Sequence, residues 1–330
     1  MNPIRVVAVA IIIVSSRLYA TDEVSPAPPP VQHFVTVEEN VKLEVIDWGG
    51  SGRPLVLLAG LGDKASVFDT FARKLTSRYR VYGITRRGFG ASSVPVSGYS
   101  GDRLGEDVVT VLDALKIERP ILIGHSIAGS ELSYVATVHP EKIAALVYLD
   151  SAYAYAFYDE GTAQGFNLLI DAAELRKMLA QLPCEDIRKV KQVDQDLLAR
   201  VQVFEKDLRD HQEVLKYMPE PPKDAADSSQ NAAPSPALQI MRELRKYRKI
   251  PVPILAIYAF PKSTKEQGSL PSEAIALMEA RDAAQIDAFQ KGNPSAHVVR
   301  IPNASHYIFK SNEAEVLHEI EDFINKRPSS

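Results

Sequence analysis

The stretch Pro120-Ile121-Leu122-Ile123-Gly124-His125-Ser126-Ile127-Ala128-Gly129 decides how this chain is read. A short apolar run ends at Gly124, a serine follows two positions later, and a helical pattern continues through Leu132, Val135, Ala136 and Val138. A buried strand that passes into a helix through a very tight turn has this form. The residue at the tip of such a turn is held in a strained conformation, so its neighbours must be small. Gly124 and Ala128 meet that need, although the strict pattern has glycine where Ala128 stands. Ser126 is therefore the candidate nucleophile, lifted on a strand-to-helix elbow. An ordinary turn that happens to carry a serine is the competing reading.

Outward from this stretch, strands and helices alternate. His33–Glu38 and Val41–Trp48 read as a hairpin about Glu39-Asn40. Pro54–Ala59 is almost wholly apolar, as a strand buried on both faces must be, and it ends in Gly60-Leu61-Gly62-Asp63. A helix stripe at Val67, Phe68, Phe71 and Leu75 leads to a strand over Arg80–Thr85. The loop Arg86-Arg87-Gly88-Phe89-Gly90-Ala91-Ser92 and a helix marked by Leu104, Val108, Val111, Leu112 and Leu115 then lead into the central strand. Ile143–Leu149 is a further strand, ending at Asp150. The pattern predicts an α/β fold, a mostly parallel sheet with helices on both faces.

The alternation stops at residue 151 and resumes at a strand over Val252–Tyr258, a long helix over Ser272–Lys291, a strand over Ala296–Ile301 and a closing helix over Glu313–Ile324. The interval is far longer than an ordinary crossover. It predicts a core of residues 32–150 and 251–326 carrying an inserted helical cap over 151–250. Within the cap, Ala237–Tyr247 reads as a helix, and 219–236 has almost no large apolar group and is expected to be a mobile loop.

The N-terminus reads as a targeting signal. Arg5 precedes the apolar run Val6–Val14, and Ala20 offers a small residue for cleavage. The run is too short to span a bilayer. Residues 1–20 are expected to be removed on export to the periplasm or medium, leaving a proline-rich tail over 21–31 and no stable membrane insertion. Cys184 is the sole cysteine, so an exported chain would rely on its core and not on an internal disulfide. The net charge of −4 comes without a basic block, which argues against nucleic acid as a partner.

A serine hydroxyl needs a base to take its proton. Of the seven histidines, His306 sits in a polar turn directly after a late strand, at the edge where the ends of parallel strands converge. His125 is expected to support, its side chain turned away by the elbow. A carboxylate must in turn hold the imidazole. Asp150 ends the strand after the nucleophile's strand, with Asp159, Glu266, Glu273 and Asp282 as alternatives and a simple turn cap as the competing role. The oxyanion of an acyl transition state needs two converging donors, assigned here to the backbone N–H groups of Ile127 and Leu61. Tyr153, Tyr155, Phe157, Tyr158 and Phe166 crowd the start of the cap, either as a pocket for an acyl or aromatic group or as packing between cap and sheet. No H-E-x-x-H, cysteine pair or complete dinucleotide fingerprint is present, so neither a metal nor a cofactor is expected.

These motifs, in this order, resemble the α/β-hydrolase superfamily: the loop Leu58-Ala59-Gly60-Leu61-Gly62, the run Arg87-Gly88-Phe89-Gly90-Ala91-Ser92, the elbow at Ser126, the cap and His306. The resemblance spans roughly residues 32–326 and implies the serine branch, since members that place aspartate at the elbow are dehalogenases and epoxide hydrolases. Ala59 stands where the family commonly has histidine. Ala259-Phe260-Pro261-Lys262-Ser263 has no carboxylate where the family commonly carries its acid. Some members carry that acid one strand earlier, which here is Asp150. The implied activity is an exported carboxylesterase acting on a small or medium apolar or aromatic ester. An aminopeptidase or amidase of the iminopeptidase type, anchored by Glu174, Glu185, Asp186 or Asp194, and a non-catalytic ligand-binding protein are the alternatives.

Overall fold

The computed structural model describes residues 29–160, 162, 165–182, 186–217, 234–268 and 270–327. The expected export signal, most of the proline-rich tail, Cys184, Glu185 and most of the loop over 219–236 lie outside the described residues.

Among the described residues eight strands form one sheet in the order β1-β2-β4-β3-β5-β6-β7-β8. β1 (Val31–Glu38) and β2 (Val41–Gly49) form the antiparallel hairpin at one edge. β3 (Pro54–Leu58), β4 (Arg80–Ile84), β5 (Ile121–His125), β6 (Ala145–Leu149), β7 (Ile254–Ala259) and β8 (His297–Ile301) run parallel. Side chains alternate across a strand, so each parallel strand feeds two cores. Leu55, Leu57, Ile121, Ile123, Val147, Leu149 and Ile257 face α1 (Asp69–Leu75), α9 (Ile308–Ser311) and α10 (Glu313–Asn325). Val56, Leu58, Leu122, Leu146, Tyr148 and Tyr258 face α2 (Gly101–Ala114), α3 (Gly129–Val138) and α8 (Ser272–Gly292). A strand buried on both faces has no polar side to display, which is why these runs are apolar without alternation.

Between β6 and β7 the chain inserts α4 (Gly165–Leu179), α5 (Ile187–Leu215) and α6 (Pro236–Arg242). The insertion does not build a core of its own: Ile170, Ile240, Leu244 and Tyr247 join the cluster of the α2/α3 face. The helix expected over 237–247 stops at Arg242, whose carbonyl accepts from Arg176 Nη2 at 2.7 Å. Beyond it the backbone is irregular, and Leu244 and Tyr247 are buried. Two short helices escape the periodicity argument, α9 and α7 (Thr264–Gln267), because four residues show no period.

The strand-to-helix joint at Ser126 is tight. His125 ends β5, and α3 begins at Gly129 after a short 3-10 turn. A Cβ on Gly129 would lie 2.1 Å from the carbonyl oxygen of Ser151, backbone that cannot yield without moving the end of β6. The glycine that the close approach requires is therefore Gly129, one position later than the strict pattern, and Ala128 is accommodated. Gly129→Ala is expected to lose roughly 1–3 kcal/mol or more of unfolding free energy, as overpacking of a rigid site does. Urea denaturation checks this, and wild-type stability in the variant would show that the contact relaxes.

Candidate active site

Three residues singled out in the sequence meet at the C-terminal edge of the sheet. His125 pairs with Leu149 across β5 and β6, so Ser126 and Asp150 follow the same rung of the ladder. Both have left-handed backbone, φ 54° at Ser126 and φ 46° at Asp150. Left-handed φ is uncommon outside glycine, asparagine and aspartate, and two such residues side by side mark a place where conformation serves position.

Asp150 is completely buried, and its carboxylate is held by three donors. Nδ1–H of His306 donates to Oδ2 at 2.7 Å. The hydroxyl of Tyr153 donates to Oδ1 at 2.7 Å and the backbone N–H of Ala259 donates to Oδ1 at 3.1 Å. The carboxylate fixes the imidazole with its proton on Nδ1, which leaves Nε2 as the basic nitrogen of His306. The end of β7, which with the residues after it has no carboxylate, thus supplies a donor to Asp150 instead. Of the alternative acids, Asp282 pairs with Lys262 at 3.6 Å and Glu273 is exposed. Glu266 lies on α7 and Asp159 on the loop before α4.

The loop after β3 packs against Ser126. A Cβ on Gly60 would stand 3.3 Å from Ser126 Cβ and 2.9 Å from His125 Nδ1, so only glycine lets this backbone come so close. Leu61 follows directly, and Ile127 opens the turn into α3. Leu61 and Ile127, the residues assigned to an oxyanion, are therefore the chain neighbours of Gly60 and Ser126 at this contact.

His125 plays a more definite part than its sequence position suggests. Its Nε2–H donates to the backbone carbonyl of His306 at 2.9 Å, and its ring lies 4.6 Å from that of His306. Tyr307 and Phe309 enclose the other sides, with ring centroids at 4.9 and 5.1 Å. Nδ1 is buried with no hydrogen-bond partner among the described residues. Burial, and then the neighbouring His306, hold its pKa down at about 4.

The aromatic run at the start of the cap divides between roles. Tyr153 serves Asp150. The hydroxyl of Tyr155 comes within side-chain reach of the Ser126 hydroxyl, and burial keeps the phenol protonated. Phe157 packs edge-on against Phe289 at 5.6 Å, and Tyr158 donates to Asp171 at 2.8 Å, and both belong to the buried cluster that joins the start of the cap to the core. Phe166 lies in the first turn of α4. Among the described residues no group of histidine, cysteine and carboxylate side chains is arranged to hold a metal ion, and no helix is long and apolar enough to cross a membrane.

The pattern of the Alpha/beta hydrolase family matches residues 55–319. This chain belongs to the α/β-hydrolase family. It is similar to the AB hydrolase superfamily protein YisY of Bacillus subtilis, 34% identical over 36% of this chain and 45% of that protein. The chain thus spans less than half the length of that relative, as it does for others of comparable identity. A longer match joins it to the pimeloyl-[acyl-carrier protein] methyl ester esterase of Aeromonas hydrophila, 28% identical over 83% of this chain and 96% of that one. Among solved structures, an esterase of Exiguobacterium antarcticum superposes with a TM-score of 0.58 at 19% identity, over 89% of this chain and all of that one. At that identity the likeness concerns the fold.

The neutral His125 makes a pH prediction. Its folded pKa of about 4 lies below the ordinary 6.5, so the unfolded chain takes a proton that the folded chain refuses as pH falls through this window. The stability His125 contributes is complete above about pH 6.5 and is lost towards pH 4, on the order of 3 kcal/mol. The unfolding free energy of His125→Phe relative to wild type is expected to rise by that amount from pH 7 to pH 4. A difference that stays constant across this range would show that His125 is not buried neutral.

Proposed function

We propose that the protein is a serine hydrolase that cleaves carboxylic esters through an acyl-enzyme, with Ser126 as nucleophile, His306 as base and Asp150 as the orienting acid. The observation that carries this reading is the 2.7 Å bond between Asp150 and His306 beside the strained Ser126. In the proposed course Nε2 of His306 takes the Ser126 proton as Oγ attacks the ester carbonyl. The N–H groups of Leu61 and Ile127 receive the developing oxyanion, and Asp150 steadies the imidazolium. His306 then protonates the departing alcohol, and water releases the acid by the same steps in reverse order.

Ester cleavage is favoured over an amine-anchored peptidase by the cap carboxylates. Glu174 is engaged by Lys246 at 2.5 Å and Arg200 at 3.1 Å, and Asp186 and Asp194 are exposed. A non-catalytic binding protein would have no need for a fully buried carboxylate tied to a histidine, a costly arrangement for binding alone.

Two experiments test the reading. A fluorophosphonate should label the protein on Ser126, and no adduct there would end the claim. Asp150→Asn should lower kcat by roughly 10²- to 10⁴-fold with little change in KM. The reason is visible in the donors: the asparagine carbonyl takes the Oδ1 place facing Tyr153 and Ala259, and its NH₂ then faces Nδ1 of His306. The ring must accept there and carry its proton on Nε2, the wrong tautomer for a base. Asparagine tolerates left-handed φ as well as aspartate does, so the fold is expected to survive. Near-normal turnover of the folded variant would reduce Asp150 to a turn cap.

A further inference from the structure

Arg86 and Glu131 form a buried ion pair that the proposed chemistry does not use. Arg86 sits directly behind β4 in the glycine-punctuated loop, and Glu131 lies in the first turn of α3. Their side chains are each 5% exposed. Nε of Arg86 donates to Glu131 Oε1 and Nη2 to Oε2, both at 2.6 Å, a bidentate fork. The guanidinium has two further bonds. Nη2 donates to the carbonyl of Ala59 at 2.9 Å and Nη1 to the carbonyl of Gly60 at 3.2 Å. The Gly60 carbonyl also accepts from the Asp63 N–H at 3.3 Å.

We propose that Arg86, held by Glu131, is a positioning residue that aims the Leu61 N–H and fixes its distance from Ile127, so that the two donors converge on one oxyanion. The inference rests on the hydrolytic reading above. The link is covalent. The carbonyl of Gly60 and the N–H of Leu61 belong to one planar trans peptide and point in opposite directions. A donor that grips the Gly60 carbonyl from one side therefore sets the direction of the Leu61 N–H on the other. The same grip polarises the peptide and makes that N–H a stronger donor. The far end of the fork is on α3, whose preceding turn carries Ile127, so one rigid bridge joins the two halves of the hole. Within the loop, Leu61 packs on the core and Asp63 accepts from the Tyr307 hydroxyl at 3.1 Å, while Ala59 and Gly60 have no polar side chain with which to fix their own carbonyls. The buried guanidinium supplies that hold from outside the loop.

A buried ion pair is weak evidence of stability, since isosteric apolar residues often replace it at little cost. That separates the two possible roles. In the double variant Arg86→Met/Glu131→Leu, neither charge is stranded. If the pair positions the hole, the folded variant should turn over p-nitrophenyl butyrate roughly 10- to 100-fold more slowly in kcat, with KM within about threefold, short of the 10²–10³-fold for deleting an oxyanion donor. Fluorophosphonate labelling of Ser126 should slow in parallel, and phenylboronic acid should bind correspondingly more weakly. The acid limb of the pH–rate profile should not move, because Asp150 and His306 are untouched. Arg86→Lys, which keeps a charge but not the fork, should fall between. A purely structural pair would change the melting temperature and leave kcat and labelling of the folded variant at wild-type values, and that result overturns the proposal alone. Failure of the wild type to label at Ser126 would remove the hydrolytic reading and this inference with it.

Discussion

The carboxylate of Asp150 is the constraint on which the site depends. A fully buried carboxylate costs several kcal/mol unless its oxygens are satisfied. Here the donors come from three separate segments: Tyr153 from the entrance to the cap, Ala259 from the end of β7 and His306 from the loop after β8. Satisfying one group therefore draws the cap, the sheet edge and the histidine loop to one point. The loop of His306 is tied to β7 as well, through Ser263 N–H on the Ala304 carbonyl at 2.9 Å and Asn303 N–H on that of Pro261 at 2.9 Å. His125 adds the last tie, from the elbow to the His306 backbone.

This arrangement explains why the segment after β7 needs no carboxylate. Once the acid stands at the end of β6, the next strand is its neighbour in the sheet, and what the neighbour must contribute is a donor. Any residue except proline has a backbone N–H, so the requirement leaves no trace in side-chain chemistry, and Ala259 meets it. The same reasoning applies to Tyr153. In a run of five aromatic residues, nothing in the sequence distinguishes the one whose hydroxyl satisfies a buried acid from those that pack.

What the sequence made legible follows from period and punctuation. Strands buried on both faces are long apolar runs, the elbow is a serine between small residues, and a histidine after a late strand must lie at the same edge as the elbow. Those features fixed the sheet, the insertion point and the choice of Ser126, His306 and Asp150 as candidates. The register that sets Ser126 and Asp150 on one rung was not legible, because pairing between strands depends on packing across the sheet. Nor was the partnership of Arg86 with Glu131. Two charged residues 45 positions apart read as surface in a sequence, and only the close approach of the loop after β3 to α3 buries them together. His125 is expected to support, turned away by the elbow, and its ring holds the backbone carbonyl of His306, a partner that no spacing in the sequence reveals.

Strain and buried charge gather at the sheet edge, but not there alone: Asn40, Lys116, Arg119 and Asn303 also have left-handed backbone, and Arg87 and Asp107 form a second buried pair. The left-handed residues Ser126 and Asp150 and the unpartnered Nδ1 of His125 all lie at the sheet edge, as does the buried fork of Arg86. Away from it, the parallel strands carry ordinary apolar burial. Left-handed backbone outside glycine costs on the order of 1–2 kcal/mol per residue. Such costs persist only where the surroundings over-determine the geometry. The two cores on either side of the sheet provide that excess. They hold β5 and β6 in register, and the register in turn leaves the residues after His125 and Leu149 no room for a relaxed turn, since α3 passes Ser151 with space for a glycine alone. The position of the nucleophile candidate is thus set by hydrophobic packing beneath it, and its chemical environment by a few buried polar bonds above.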